Sequence, residues 1–182
     1  MTVPENVVIV GASLAGAKAA ETLRSEGFAG RVTLLGEEPV RPYERPPLSK
    51  AYLRGEADFE DAAVHPAGFY AEQGIELRTG TRVAAVDIAG SAVELGSGER
   101  LAYDRLLLTT GASPRRLDVP GSGLDGVRYL RSVDDAERIR RALGASGPVV
   151  VVGAGWIGCE VAAAARQVGA EVTVVDPASL PL

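Results

Sequence analysis

Cysteine is nearly missing: Cys159 is the only one among 182 residues. That excludes an intrachain disulfide framework and any Cys-x-x-Cys redox pair. Histidine is as scarce. His65 stands alone before a proline in an extended dipeptide, without a metal or nucleophile partner, and reads as a loop residue. No apolar run approaches the roughly 20 residues of a membrane-spanning helix. The N-terminus lacks the basic region and long apolar stretch of a signal peptide. Basic charge is not in excess either. With 19 Lys and Arg against 24 Asp and Glu, the chain carries −5 and no basic stripe, so neither nucleic acid nor membrane is an expected partner. A cytoplasmic location is the expectation.

What the chain does have is glycine, 22 residues of it, where average usage of about 7% would give roughly 13. Two copies of one pattern organise it. Val7-Val8-Ile9-Val10 runs into Gly11-Ala12-Ser13-Leu14-Ala15-Gly16, and Val149-Val150-Val151-Val152 runs into Gly153-Ala154-Gly155-Trp156-Ile157-Gly158. A continuous β-branched run reads as a buried parallel strand, and glycines let the backbone turn sharply into a helix. The helix N-terminus then offers unpaired N–H groups and a positive dipole end to a pyrophosphate. Each copy is followed by a second strand and an acidic residue, which points to two dinucleotides on one protein.

In the first copy, a helix is expected from Leu14 to Ser25 and a strand over Arg31–Leu35, ending at Gly36 and Glu37. Glu37 lies about 20 residues past the glycines, where a carboxylate accepts ribose hydroxyls; the alternative is a solvated loop carboxylate. The middle glycine of the fingerprint is replaced by Ser13, so phosphates are expected to sit slightly displaced. In the second copy the fingerprint is complete at Gly153, Gly155 and Gly158. Asp176 ends the following strand, and an acid there accepts ribose hydroxyls and repels a 2′-phosphate, favouring NADH over NADPH.

Between the copies, Leu48–Leu53 reads as a short helix after three prolines, with Arg45 and Lys50 as surface charges on the plainest reading. A helix is expected near residues 67–73. Four short strands (75–78, 82–86, 92–95 and 101–103) suggest an inserted antiparallel meander. The buried run 104–112 ends in Thr109, Thr110 and Gly111, which should face the same ligand as Gly11. Residues 113–127 read as a linker, and Ser132 as the cap of a helix over 133–143. The fold class expected is α/β: a Rossmann-like dinucleotide-binding domain with an inserted meander (1–113), which the resemblance given next implies is FAD-binding, then the start of a second, NAD-binding Rossmann-like domain (114–182).

With these residues in view, the sequence resembles the FAD-dependent NAD(P)H:ferredoxin reductases. The specific marks are Arg41-Pro42-Tyr43-Glu44-Arg45-Pro46-Pro47-Leu48-Ser49-Lys50, Thr109-Thr110-Gly111-Ala112, Tyr129-Leu130-Arg131-Ser132 and Gly153-Ala154-Gly155-Trp156-Ile157-Gly158-Cys159-Glu160. The resemblance implies that Gly11 through Gly16 and Glu37 hold the ADP half of FAD, and that Val83 meets the adenine through its backbone. It implies that Arg45, Thr110, Gly111 and Arg131 lie along the pyrophosphate and ribityl chain. Lys50 would approach the flavin ring, and Glu160 would stand between flavin and nicotinamide, paired with Lys50. Trp156 is either a ring that covers the flavin and swings aside for nicotinamide or plain packing at a helix start.

Related disulfide reductases carry redox cysteines where this chain has Leu48, Ser49 and Lys50. The resemblance therefore implies that electrons leave the flavin directly for a ferredoxin or rubredoxin-type iron–sulfur protein serving an oxygenase. It also implies that the 182 residues are the first half or slightly less of such an enzyme. Assembly with the complementary C-terminal half is one expectation. A non-catalytic dinucleotide-binding module is the alternative.

Overall fold

A computed structural model describes residues 4–145 and 147–180. In chain order the elements are β1 (Asn6–Val10), α1 (Leu14–Ser25), β2 (Arg31–Leu35), a 3-10 turn (Pro46–Ser49), α2 (Ala51–Arg54), α3 (Phe59–Ala62) and α4 (Phe69–Glu72). They continue with β3 (Ile75–Arg78), β4 (Val83–Asp87), β5 (Ala92–Leu95), β6 (Arg100–Ala102) and β7 (Arg105–Leu108). The last are α5 (Val133–Leu143), β8 (Val149–Val152), α6 (Trp156–Gln167) and β9 (Val172–Val175). Two compact units share the chain: one takes the residues up to Glu44 and Ala63–Ala112, the other Arg45–Ala62 and everything from Ser113 onward. No described helix is long and apolar enough to cross a membrane.

The first unit is built on a parallel sheet of order β3-β2-β1-β7. Its central strand is apolar at successive positions because both of its faces are covered. Val7 and Ile9 look one way, into a cluster with Ala17 and Ala20 of α1, Val32, Leu34 and Tyr70. Val8 and Val10 look the other way, against Val93 and Leu95 of the antiparallel β4-β5-β6 meander. Alternation along one strand thus feeds two layers. The expected fourth strand of the meander belongs elsewhere: Ile75–Arg78 joins the parallel sheet, with Ile75 opposite Val32 and Leu77 opposite Leu34. As an edge strand it keeps polar residues at alternate positions, and Glu76 accepts a hydrogen bond from the buried Thr33 hydroxyl at 3.2 Å.

One side chain ties three segments of this unit. The Arg24 guanidinium, in the last turn of α1, donates to the carbonyls of Phe28, Gly30, Gln73 and Gly74 at 2.7–2.8 Å. Arg24→Ala leaves four carbonyls without this donor. A loss of about 2–3 kcal/mol is expected in denaturant melts, with little rescue by Arg24→Lys, whose single ammonium cannot reproduce the fork. His65, in a loop as expected, is only 9% exposed, a burial that the sequence does not announce. Its ring stacks on Phe69 at 3.8 Å and stands 3.4 Å from Glu21.

The second unit packs α2, α5, α6 and the parallel β8-β9 pair around Leu53, Leu143, Ala164, Ala165 and Ala170. Residues 45–62 therefore cluster with the later part of the chain. The Leu48–Leu53 stretch is two short elements rather than one helix, broken at Lys50, whose backbone leaves the helical region. Tyr52 donates to Glu137 at 2.8 Å, and burial first, then that bond, push its phenol up to about 12. The N-terminus of α5 closes on itself: Ser132 accepts from the Asp135 N–H, and Asp135 accepts from the Ser132 N–H. The apolar runs of β7 and β8 are less buried than a continuous run suggests. Leu108 is 57%, Val150 63% and Val152 58% exposed, because among the described residues β7 pairs with β1 alone and β8 with β9 alone.

Candidate functional site

The two glycine loops have the same local architecture. Gly11 N–H donates to Leu35 and Gly153 N–H to Val175, each at 2.8 Å, which joins the end of the first strand to the end of the second. Both residues have positive φ, +114° and +103°. Close helix–strand packing then demands the third glycine. A Cβ on Gly16 would lie 2.1 Å from the Gly11 carbonyl oxygen, and one on Gly158 would lie 1.9 Å from that of Gly153. The middle position differs in kind. A Cβ on Gly155 would meet no protein atom within 4 Å, so packing within the described residues does not require this glycine.

The helix ends differ in the same sense. α5 closes its N-terminus with a capping box, whereas Ser13 and Gly155 supply no side-chain cap to α1 and α6. Their first N–H groups stay available to an anion. Leu14, Ala15, Trp156 and Ile157, on the first turns, are exposed, Trp156 by 74%. Thr109 secures the first loop: its hydroxyl donates to the Gly11 carbonyl at 2.8 Å and its N–H to Val10 at 2.7 Å. Thr110 and the left-handed Gly111 follow it, exposed.

The acidic residues sit at offset positions. Asp176 directly follows β9, where its Oδ2 accepts from Ala154 N–H at 2.6 Å and its Oδ1 from Ala178 N–H at 2.8 Å. Those two backbone donors hold the carboxyl below its ordinary range. The matching position after β2 is Gly36, whose Cβ would strike Ala12 at 2.6 Å. Glu37 comes one residue later, 68% exposed, in an open pair with Arg82 at 3.1 Å beside Val83 at the start of β4. Such a pair contributes little and leaves the carboxylate accessible. Arg82 was not legible as its partner from sequence.

Lys50 and Glu160, far apart in the chain, meet in the second unit. Lys50 Nζ lies 2.8 Å from Glu160 Oε2 and also donates to the Pro46 carbonyl at 3.1 Å. Ser49, which sequence reasoning passed over, donates to the same Oε2 at 2.5 Å. Lys50 first and Ser49 second hold the Glu160 carboxyl below its usual value. These three residues, with Arg45, Arg131 and Trp156, line a cleft of about 310 Å³. Arg45 donates to the Arg131 carbonyl, and Arg131 Nε is buried with no hydrogen-bond partner among the described residues. The cleft thus gathers two guanidinium groups, one with a buried unpaired Nε, beside the exposed first turn of α6.

The model of the pyridine nucleotide-disulphide oxidoreductases matches residues 5–182. The chain belongs to that family. Rhodocoxin reductase of Rhodococcus erythropolis is 46% identical over 97% of this chain and 42% of its own length. Rubredoxin-NAD(+) reductase of Pseudomonas putida is 46% identical over 94% of this chain and 45% of its own. The crystal structure of the covalent putidaredoxin reductase–putidaredoxin complex aligns with a TM-score of 0.90 at 44% identity, over 98% of this chain and 43% of that one. The chain thus spans less than half the length of these relatives. The family is α/β with a Rossmann-like parallel sheet, as expected. Leu48, Ser49 and Lys50 hold the proline-led stretch in which sequence comparison looked for a thiol, and Cys159 is the one cysteine of these 182 residues.

Proposed function

We propose that the chain is the first part of an NADH-dependent flavoprotein reductase that delivers electrons to a ferredoxin or rubredoxin-type iron–sulfur protein. One observation carries the reading. Where a thiol relay would stand, the chain places Lys50 and Ser49 on Glu160, beside the open Gly155 loop. FAD, when bound, supplies the chemistry that splits a two-electron donor's reducing equivalents into single electrons.

The residues divide the work. In the first unit, Gly11, Ser13, Leu14, Ala15, Gly16, Gly36, Glu37 and Val83 are assigned to the ADP half of FAD, with Thr109, Thr110 and Gly111 at the strand end beside them. In the second, Arg45 and Arg131 provide positive charge for phosphate, and Lys50 provides it for the flavin side. Gly153, Gly155, Ile157 and Gly158 present backbone to the pyrophosphate of NADH, Asp176 faces its ribose, and Trp156 borders its nicotinamide end. Glu160 neutralises Lys50 and offers its second oxygen to a carboxamide N–H, which orients the ring for hydride transfer. The relatives' names, rubredoxin-NAD(+) reductase among them, support the acceptor class. We place this exchange in the cytoplasm, where NADH is supplied.

The test is colour. Purified protein reconstituted with FAD is expected to lose its visible flavin absorbance on anaerobic addition of NADH, and then to reduce a ferredoxin or rubredoxin. A protein that binds ADP-ribose but neither holds flavin nor bleaches would instead be a nucleotide-binding module.

A further inference from the structure

We propose that Ser49, rather than Lys50, is the positioning residue that aims the Glu160 carboxylate. The inference rests on the reading that Glu160 meets the nicotinamide, and it adds a residue that the sequence motifs do not assign. Both donors converge on Oε2, at 2.5 Å from the Ser49 hydroxyl and 2.8 Å from Lys50 Nζ. Their power to fix a direction differs. The Lys50 side chain is 48% exposed, ends four methylenes from its backbone and shares its ammonium with the Pro46 carbonyl. An ion pair that open is screened by salt and gains little from geometry.

Ser49 is 4% exposed and closes the 3-10 turn that Pro46 and Pro47 open; its hydroxyl also lies 3.4 Å from the Pro46 carbonyl, a contact within its own turn and much the longer of the two. It has one side-chain torsion to order, and a hydroxyl donating to a carboxylate is a charge-assisted contact. Because the hydroxyl holds Oε2 from a rigid turn, the torsion of the carboxylate is set, and with it the direction in which Oε1 points. Lys50 supplies charge to Glu160; Ser49 supplies aim.

The test uses the FAD-loaded protein with Ser49→Ala, Ser49→Thr, Lys50→Met and the double variant Ser49→Ala/Lys50→Met. The side-chain carboxyl carbon of Glu160, assigned by its loss in Glu160→Gln, is followed by NMR against pH. Flavin reduction by NADH is followed by stopped flow. Ser49→Ala is expected to raise the Glu160 midpoint and to slow flavin reduction about tenfold, while ADP-ribose affinity stays at the parent value. Ser49→Thr restores both signals. The slowing caused by Ser49→Ala persists in the Lys50→Met background, because aim does not depend on the ammonium. The proposal is overturned by a Glu160 midpoint that ignores Ser49→Ala, or by a Ser49→Ala effect that vanishes once Lys50 is gone. If NADH bleaches not even the parent protein, the redox reading fails, yet the NMR arm still decides whether Ser49 holds Glu160.

Discussion

Gly158→Ala is expected to destabilise the second unit by about 3 kcal/mol, while Gly155→Ala, three residues earlier, costs under about 1 kcal/mol. The contrast follows from what each new methyl meets. At Gly158 it lands 1.9 Å from a backbone oxygen, which no side-chain rotation can relieve. At Gly155 it meets open space. Nucleotide binding should rank the two variants differently. The open space at Gly155 is where a pyrophosphate must approach the backbone, so Gly155→Ala is expected to weaken ADP-ribose binding about tenfold or more. Denaturant melts and titration calorimetry on the two variants check both halves. Unchanged affinity in Gly155→Ala would remove the second loop as a nucleotide site. The first loop already carries the larger residue, and Ser13→Gly is expected to tighten its hold on FAD.

Glu160→Gln is expected to slow flavin reduction by NADH on the order of ten- to a hundredfold, because it removes the charge that balances Lys50 and the oxygen offered to the carboxamide. The pH dependence has a defined sign. The folded carboxyl is held below its unfolded value by Lys50 and then by Ser49. It therefore stabilises the fold fully above the unfolded pKa, and this contribution is lost as pH falls through the folded one. Across roughly pH 6 to 8 the group stays ionised and should impose no slope on the rate. In Lys50→Met the chief depressing partner is gone, so an acid limb should move up toward the ordinary carboxylate range. Stopped-flow reduction rates against pH read this directly; identical profiles in parent and Lys50→Met would contradict it.

The strand–glycine–helix units were legible because three signals coincide there: an unbroken apolar run, a glycine pattern and an acid at the end of the next strand. β1, α1 and β2 follow from that alone, and the α5 cap follows from Ser132 with two acids in the first turn. Ile75–Arg78 misled because alternation marks either a meander strand or the edge of a parallel sheet, and only its pairing with β2 tells them apart. Resemblance, not spacing, brought Lys50 to Glu160. Ser49 was invisible, since no local pattern says which residue of a proline-led turn will face a helix over a hundred positions later. The exposure of Val150 and Val152 was also hidden, because apolarity records what a strand can bury rather than which layers are present.

The bond from Ala154 N–H to Asp176 has a bearing on altering coenzyme preference. An engineer seeking NADPH use would replace the aspartate with a neutral or basic residue to admit the extra phosphate. Here that edit also unties the peptide between the first two glycines of the loop from the end of β9. Selectivity and loop order are therefore coupled through one carboxylate, and a useful redesign must supply a second acceptor for that amide along with the new cation.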